Sequence, residues 1–206
     1  MVSASIKSSE IRFGECNKKL LEEVIFYGIS LGADFVELFI ENSDNSSVLA
    51  EEDFITNVSP SFSKGAGIRI FKDKRDGFVS TNDLSRHGLM RSISQAIEML
   101  DISKKTNKLI FNGLEKLKDY SKSKINWLNE VPTINEVSEK LLLSTKSLKK
   151  DKKVVVRKGS YARNWQEVII ASSDGTYATD IRLHQTVGLN IIANDAQYRS
   201  NGSRRF

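Results

Sequence analysis

From Thr176 to Ala193 the chain reads TYATDIRLHQTVGLNIIA, with Tyr177, Thr179, Ile181, Leu183, Val187, Leu189 and Ile191 at alternate positions. Only Gln185 breaks the series. A helix would scatter these residues around its axis, whereas a strand puts them all on one face, so this run demands a long β-strand. Thr176, Asp180, Arg182, His184, Thr186 and Asn190 take the other face, and the pattern predicts one side against a core and one toward solvent or a partner. Gly188 is expected to mark a bulge or bend. Just before this strand, IIASSDGTYATDIRL reads as a hairpin with an exposed Ser172-Ser173-Asp174-Gly175 tip. Asp174-Gly175 would supply the positive φ angles of a type I′ turn.

The rest of the chain alternates between the two periods. Leu20, Leu21, Val24, Ile25, Gly28 and Leu31 share a helical face between Glu15 and Leu31, and Gly32 is a natural stop. From Asp34 the period is two, with Val36, Leu38 and Ile40 opposite Phe35, Glu37, Phe39 and Glu41. Asn42 to Ser47 and Glu51 to Asp53 have turn composition, which separates short strands at Ser47–Ala50 and Phe54–Val58. Ile68–Phe71 and Phe78–Thr81 flank a turn at Asp73–Gly77. Ser85 can cap a helix carrying Leu89, Ile93, Ala96, Ile97 and Leu100.

Ser103 to Val131 lacks periodicity and reads as a connector pinned by Trp127 and Leu128. Thr133 and Glu136 form a capping box for a helix with Ile134, Val137, Leu141 and Leu148 on its apolar side. Strands follow at Lys153–Ala162, Trp165–Ala171 and Thr176–Ala193. The expected fold is α+β, with antiparallel strand blocks (a meander and hairpins) and helices packed on one face. Its expected divisions are a helix–meander–helix block at 15–101, a lysine-rich connector at 102–131 and a helix plus second strand block at 132–206.

With 39% hydrophobic and 28% charged residues the chain has the balance of a globular protein. No apolar run reaches the roughly 18 residues of a membrane helix, the N-terminus lacks a secretory apolar core, and Cys16 is the only cysteine. These features point to the cytoplasm and to no membrane. The net charge is −4 over the first hundred residues and +9 over the remainder, much of it from lysines such as Lys104, Lys105, Lys122, Lys124, Lys149 and Lys153. A solvated surface accounts for them. Nucleic acid is disfavoured because Arg157 is the only arginine between Ile102 and Lys158, and arginine is the better reader of phosphate and guanine.

Catalytic chemistry is hard to find. His87 and His184 are the only histidines, neither lies in His-Glu-x-x-His, and no Gly-x-Ser-x-Gly elbow occurs. Gly65-Ala-Gly67 leads into a strand rather than a helix, so no helix N-terminus is available for a phosphate. The reading assigns no catalytic residue and no metal ligand.

Two stretches nevertheless carry a resemblance. GADFVELFIENSDNSSVLAEEDFITNVSPSFSKGAGIRIFKDKRDGFVSTNDLS resembles the opening domain of the TldD/PmbA proteins, the modulator of DNA gyrase family. The matching positions are Gly65, Gly67, Arg69, Gly77, Phe78, Ser80, Thr81 and Asn82. IIASSDGTYATDIRLHQTVGLNIIANDAQYRSNGSRR is similar to the family's second strand block, and its Ser-Ser-Asp-Gly-Thr tip favours the TldD-like branch. The resemblance implies a zinc metallopeptidase that processes unfolded peptides in a channel enclosed by a dimer.

In that family the metal site is His-Glu-x-x-x-His or His-Glu-x-x-x-Asp with a later cysteine, all in the C-terminal half. The sequence ends at Phe206, where the family enters that half. The expectation is therefore a truncated or split, N-terminal and non-catalytic domain, inactive alone, with no zinc in this chain and the C-terminal metal-binding domain absent. Its partners would be an unfolded peptide or protein substrate and either a second copy, a PmbA-like subunit or a C-terminal half. The tail from Ala193 to Phe206 is expected to be disordered without its continuation. Arg69, Ser80, Thr81, Asn82, Ser172, Ser173 and Asp174 are the expected channel-wall residues, and Gly65, Gly67, Gly77 and Gly175 the structural turns. The alternative is a nucleic-acid-binding or protein-interaction adaptor using the lysine-rich segment.

Overall fold

The structure is a computed structural model that describes Phe13 and residues 16–100, 111–116, 131–195 and 197–206. Most of the lysine-rich connector, including Lys105, Trp127 and Leu128, lies outside the described residues. The elements in chain order are α1 (Lys18–Ser30), β1 (Phe35–Glu51), β2 (Phe54–Lys72), β3 (Arg75–Thr81), α2 (Arg86–Met99), β4 (Glu115–Lys116), α3 (Ile134–Ser147), β5 (Val154–Ser172), β6 (Thr176–Asp195) and β7 (Tyr198–Arg205). The fold is α+β. Strands hydrogen-bond in the order β3-β2-β1-β5-β6-β4, and β7 also pairs with β6. β2–β3 and β6–β7 are antiparallel, while the two-residue β4 runs parallel to the start of β6. No described helix is long and apolar enough to cross a membrane.

Local chemistry explains the helices. Asn17 caps α1 by accepting from Leu20 N at 3.1 Å, and Ser85 caps α2 by accepting from Gly88 N at 3.1 Å. For α3, Thr133 N donates to Glu136 Oε2 at 2.8 Å and Glu136 N donates to Thr133 Oγ1 at 3.2 Å, the expected capping box. After α1, Gly32 takes φ +103°, the left-handed geometry in which glycine ends a helix most easily.

The chain forms two compact units, one from Met1–Ser43, Ser63–Ser123 and Gln166–Ile181, the other from Asp44–Phe62, Lys124–Trp165 and Arg182–Phe206. In the first, α1 and α2 pack together, and Leu21, Val24, Ile25, Leu89 and Ile93 meet Val36, Leu38, Ile40, Ile68 and Ile70 in one core. In the second, Val137 and Leu141 of α3 cover Val48, Ala50 and Tyr161. Glycines permit the close approaches. A Cβ on Gly28 would stand 2.8 Å from Val36 Cγ2, and one on Gly159 2.8 Å from Leu141 Cδ1.

Several strand expectations need correction. The predicted meander of about five short strands is three strands, because β1 runs unbroken through Asn42–Ser47 and β2 joins the expected Phe54–Val58 and Ile68–Phe71 strands into one. Partners far along the chain hold this polar segment extended: Asn42 Nδ2 donates to Glu167, Arg163 Nη2 to both Asp44 oxygens, and Asn164 Nδ2 to Asn45 Oδ1. β5 likewise continues through the Ala162–Asn164 break. The tail expected to be disordered forms β7, which pairs with β6 from Asp195↔Tyr198 to Gly188↔Arg205. Its side chains gain little cover, so the ladder hydrogen bonds order it and not apolar burial.

The long β6 face is less buried than its alternation suggests. Tyr177 is buried, but Ile181, Leu183, Val187, Leu189 and Ile191 are only partly so. Within the second unit the described helix is the 14-residue α3, which reaches Val187 but is too short to roof every strand. Gly188 lies within β6, where the Ser160 hydroxyl comes so close that a Cβ would stand 2.6 Å from Oγ.

Candidate functional site

The β2–β3 hairpin places five motif residues in one place. Ala66↔Thr81, Gly67↔Ser80 and Arg69↔Phe78 are paired, and residues directly opposite in a ladder share a face. Ala66, Ile68 and Ile70 point into the core, so Gly65, Gly67 and Arg69 turn outward with Phe78 and Ser80. Gly65, Gly67, Phe78, Ser80, Thr81 and Asn82 line a shallow surface cavity of about 270 Å³. This falls below the roughly 300–1,000 Å³ of small-molecule pockets, so the site is better described as part of an extended surface.

Glycine has a steric reason to be at both positions. A Cβ on Gly65 would lie 2.9 Å from the Thr81 carbonyl oxygen, and one on Gly67 would press on the Phe78 ring at 3.1 Å. Phe78 is 61% exposed, leaving an aromatic surface above bare backbone. Arg69 shares this outer face but not the cavity. Its Nη2 donates to Asp76 Oδ2 at 3.2 Å, and its guanidinium sits 4.5 Å from the centre of the Phe71 ring.

The β5–β6 turn is separate from that cavity, and it is not the exposed tip expected. Ser172 is buried and only Asp174 of the four turn residues is exposed. Ser172 Oγ donates to Asp174 Oδ1 at 2.6 Å, Thr176 N donates to the same oxygen at 3.0 Å, and Val36 N donates to Ser173 Oγ at 3.1 Å. Together the Ser172 and Thr176 hydrogen bonds hold the Asp174 carboxyl below its ordinary range. Glu115 N, at the start of β4, also donates to Gly175 O, so β4 lies against the turn.

Turn geometry corrects the glycine expectations. Gly175 has φ +100°, but Asp174 is not in the left-handed region, so this is a three-residue loop and not type I′. Type I′ signs occur instead at Asp73 and Lys74, with φ of 47° and 66°. Gly77 lies inside β3, and Gly65 and Gly67 inside β2. At Gly77 the requirement is close packing, since a Cβ would stand 3.1 Å from both Ala96 O and Leu100 Cγ.

Among the described residues no three His, Cys, Asp or Glu side chains converge as metal ligands. Burial pushes the Cys16 thiol up to about 11, with the charge of Lys64 opposing it, which makes the thiol a poor nucleophile at neutral pH. An ion pair found only in the structure joins Glu52 and Arg157. Arg157 N and Nε donate to the Glu52 carboxylate at 2.9 and 2.8 Å, Nη2 makes a further short contact, and Nη1 donates to Thr145 O at 3.2 Å. These bonds secure a β1–β2 turn in which Glu52 itself has φ +55°. Nothing in the local sequence around either residue signals the pair, because 105 positions separate them.

The described residues form an α+β module whose β2–β3 hairpin carries Gly65 and Gly67 on its outer face. Residues 36–100 match the family model for PmbA/TldA metallopeptidase domain 1, and residues 127–206 match that for the PmbA/TldA metallopeptidase central domain. The chain belongs to the PmbA/TldD metallopeptidase family.

It is similar to a metalloprotease TldD homolog of Haemophilus influenzae, at 22% identity over 82% of this chain and 35% of that protein. The TldD homolog of Buchnera aphidicola gives the same 22% identity, 82% and 35%. The chain thus spans about a third of the length of these curated relatives. In fold it is similar to TldE from Thermococcus kodakarensis, with TM-score 0.72, 20% identity, and coverage of 90% of this chain and 42% of that one.

Proposed function

We propose that the chain is the N-terminal, non-catalytic part of a TldD-like zinc metallopeptidase and contributes a wall of the channel that receives unfolded peptides. The supporting observation is the outer face of β2–β3, where Gly65 and Gly67 leave backbone uncovered beside Phe78, Ser80, Thr81 and Asn82. Such a hairpin suits an extended chain of any sequence, because the Phe78 ring on its face and the edge of β3, the last strand in the order, would offer ring contacts and main-chain hydrogen bonds that do not select among side chains. Arg69 would border it as an ion-paired residue, while Ser172, Ser173 and Asp174 would shape the wall through their turn. Zinc, and the residues that bind it, would come from another part of the assembly. A second copy, a PmbA-like subunit or a C-terminal half would close the channel, in the cytoplasm.

The test is fluorescence anisotropy of a labelled unfolded peptide with the purified chain, together with a peptide-cleavage assay. Binding without cleavage is expected, with Phe78→Ala and Asn82→Ala each weakening it. Cleavage by the chain alone, or affinity unchanged in both variants, would contradict the proposal. The adaptor alternative rests on lysines that lie mainly outside the described residues, and DNA affinity falling steeply with salt would favour it.

A further inference from the structure

The second unit has a larger cavity, about 560 Å³, that none of the sequence motifs points to. Its lining includes Glu51, Lys158, Ser160, Asn190, Ser203 and Arg205. The register explains why they converge. Gly188 pairs with Arg205 and Asn190 with Ser203, so these four share one face across β6 and β7. Ser160 of β5 lies on that same face, since its hydroxyl occupies the space a Cβ on Gly188 would need. Lys158 is two residues before Ser160 and points the same way. A side chain at position 188 would fill the floor.

The charges are unequal. Lys158 Nζ lies 3.1 Å from Glu51 Oε1, so these two largely neutralise each other. Arg204, also in the lining, holds its guanidinium 5.0 Å over the Phe206 ring. The backbone of Arg205 is held in the β6–β7 ladder, but its side chain makes no ion pair or hydrogen bond among the described residues. A planar cation with five donors, in a lining that also holds the Thr56, Ser160 and Ser203 hydroxyls and the Asn190 amide, whose Nδ2 also donates to Asn201 Oδ1 at 2.9 Å, is complementary to a carboxylate carried on a hydrogen-bonding backbone.

We propose that this cavity is a subsite for an acidic side chain of an extended peptide, with Arg205 binding the carboxylate and Ser160, Asn190 and Ser203 binding the adjoining main chain. The proposal rests on the peptide-channel reading and gives it a preference, so that segments rich in Asp and Glu are held longest.

The experiment compares two labelled unfolded peptides by anisotropy on the full chain at low and high salt, one carrying Asp and Glu and the other the matching Asn and Gln. The acidic peptide should bind about tenfold more tightly at low salt, the range of one charge-assisted contact, and Arg205→Gln should remove that advantage without changing neutral-peptide affinity. Arg199→Gln, an exposed β7 change outside the cavity lining, should leave the preference intact. Circular dichroism verifies that both variants are folded. Equal affinity for the two peptides, or a preference that survives Arg205→Gln, overturns the subsite while leaving the channel reading in place. Failure of both peptides to bind defeats both proposals. Displacement of the acidic peptide by a neutral-backbone competitor supports the subsite only if Arg205→Gln abolishes the difference, and saturable, tighter binding of a single-stranded oligonucleotide at Arg205 overturns it in favour of nucleic acid.

Discussion

Replacing Gly159 with alanine tests how α3 is seated on its sheet. The new methyl would lie 2.8 and 2.9 Å from Leu141 Cδ1 and Cγ and 3.0 Å from Thr145 Cγ2. Carbon atoms prefer roughly 3.5–4.0 Å, so α3 must lift or Leu141 must leave its rotamer. Overpacking of this kind costs about 1–3 kcal/mol. Leu141 is 4% exposed, and Leu141→Ala should cost about 2–5 kcal/mol through lost burial and the cavity it leaves.

The double variant should be more stable than the sum of the two losses implies. Truncating Leu141 removes the two nearest clashing atoms, and the alanine methyl then fills part of the vacated space. A favourable coupling of about 0.5–3 kcal/mol is expected for residues in such contact. Urea unfolding of the full chain, followed by circular dichroism and by tryptophan fluorescence, measures it, since Trp165 is buried in the same unit. Additivity within about 0.5 kcal/mol would refute the packing argument, because it would mean that Leu141 and Gly159 do not meet.

Gly77→Val should destabilise the first unit by about 1–3 kcal/mol through its clash with Ala96 O and Leu100, and an unchanged melting temperature would contradict this. Lys74→Gly should be neutral or stabilising by up to about 1 kcal/mol, because it relieves a non-glycine residue at φ 66°, and a clear loss in thermal melts would count against the turn assignment. Glu52 should make stability fall with acid: burial alone would raise its pKa, but the Arg157 hydrogen bonds and charge outweigh it and hold the carboxyl below 4.5. Its contribution is present above the unfolded value and disappears as pH falls through the lower folded value, so Glu52→Gln should flatten the melting-temperature profile below about pH 4.5, and parallel profiles would exclude the pair as a cause. Purified chain should hold no stoichiometric zinc and keep its melting temperature in chelator, whereas one tightly held zinc per chain by elemental analysis would overturn the reading of its ligands.

What the sequence by itself determined were features whose causes lie within a few residues. Ser85, Thr133 and Glu136 act three positions away, which is why the starts of α2 and α3 could be read directly. Alternation likewise put Val36, Leu38 and Ile40 on one side of a strand, the side that the structure buries. The motif residues from Gly65 to Asn82 were legible as a group because a tight hairpin converts nearness in sequence into one surface.

Tertiary structure decided the rest. Asn42–Ser47 has the composition of a turn, but cross-strand partners about 120 residues away keep it extended. Gly77 and Gly159 look like flexible points in the sequence, yet their necessity comes from helices packed against them. The apolar alternation of β6 could not reveal how far α3 would cover it, and only the β6–β7 register brings Asn190, Ser203 and Arg205 together. Hydrophobic pattern and capping are properties of one segment, whereas burial, close approach and the meeting of charges depend on which segment arrives opposite.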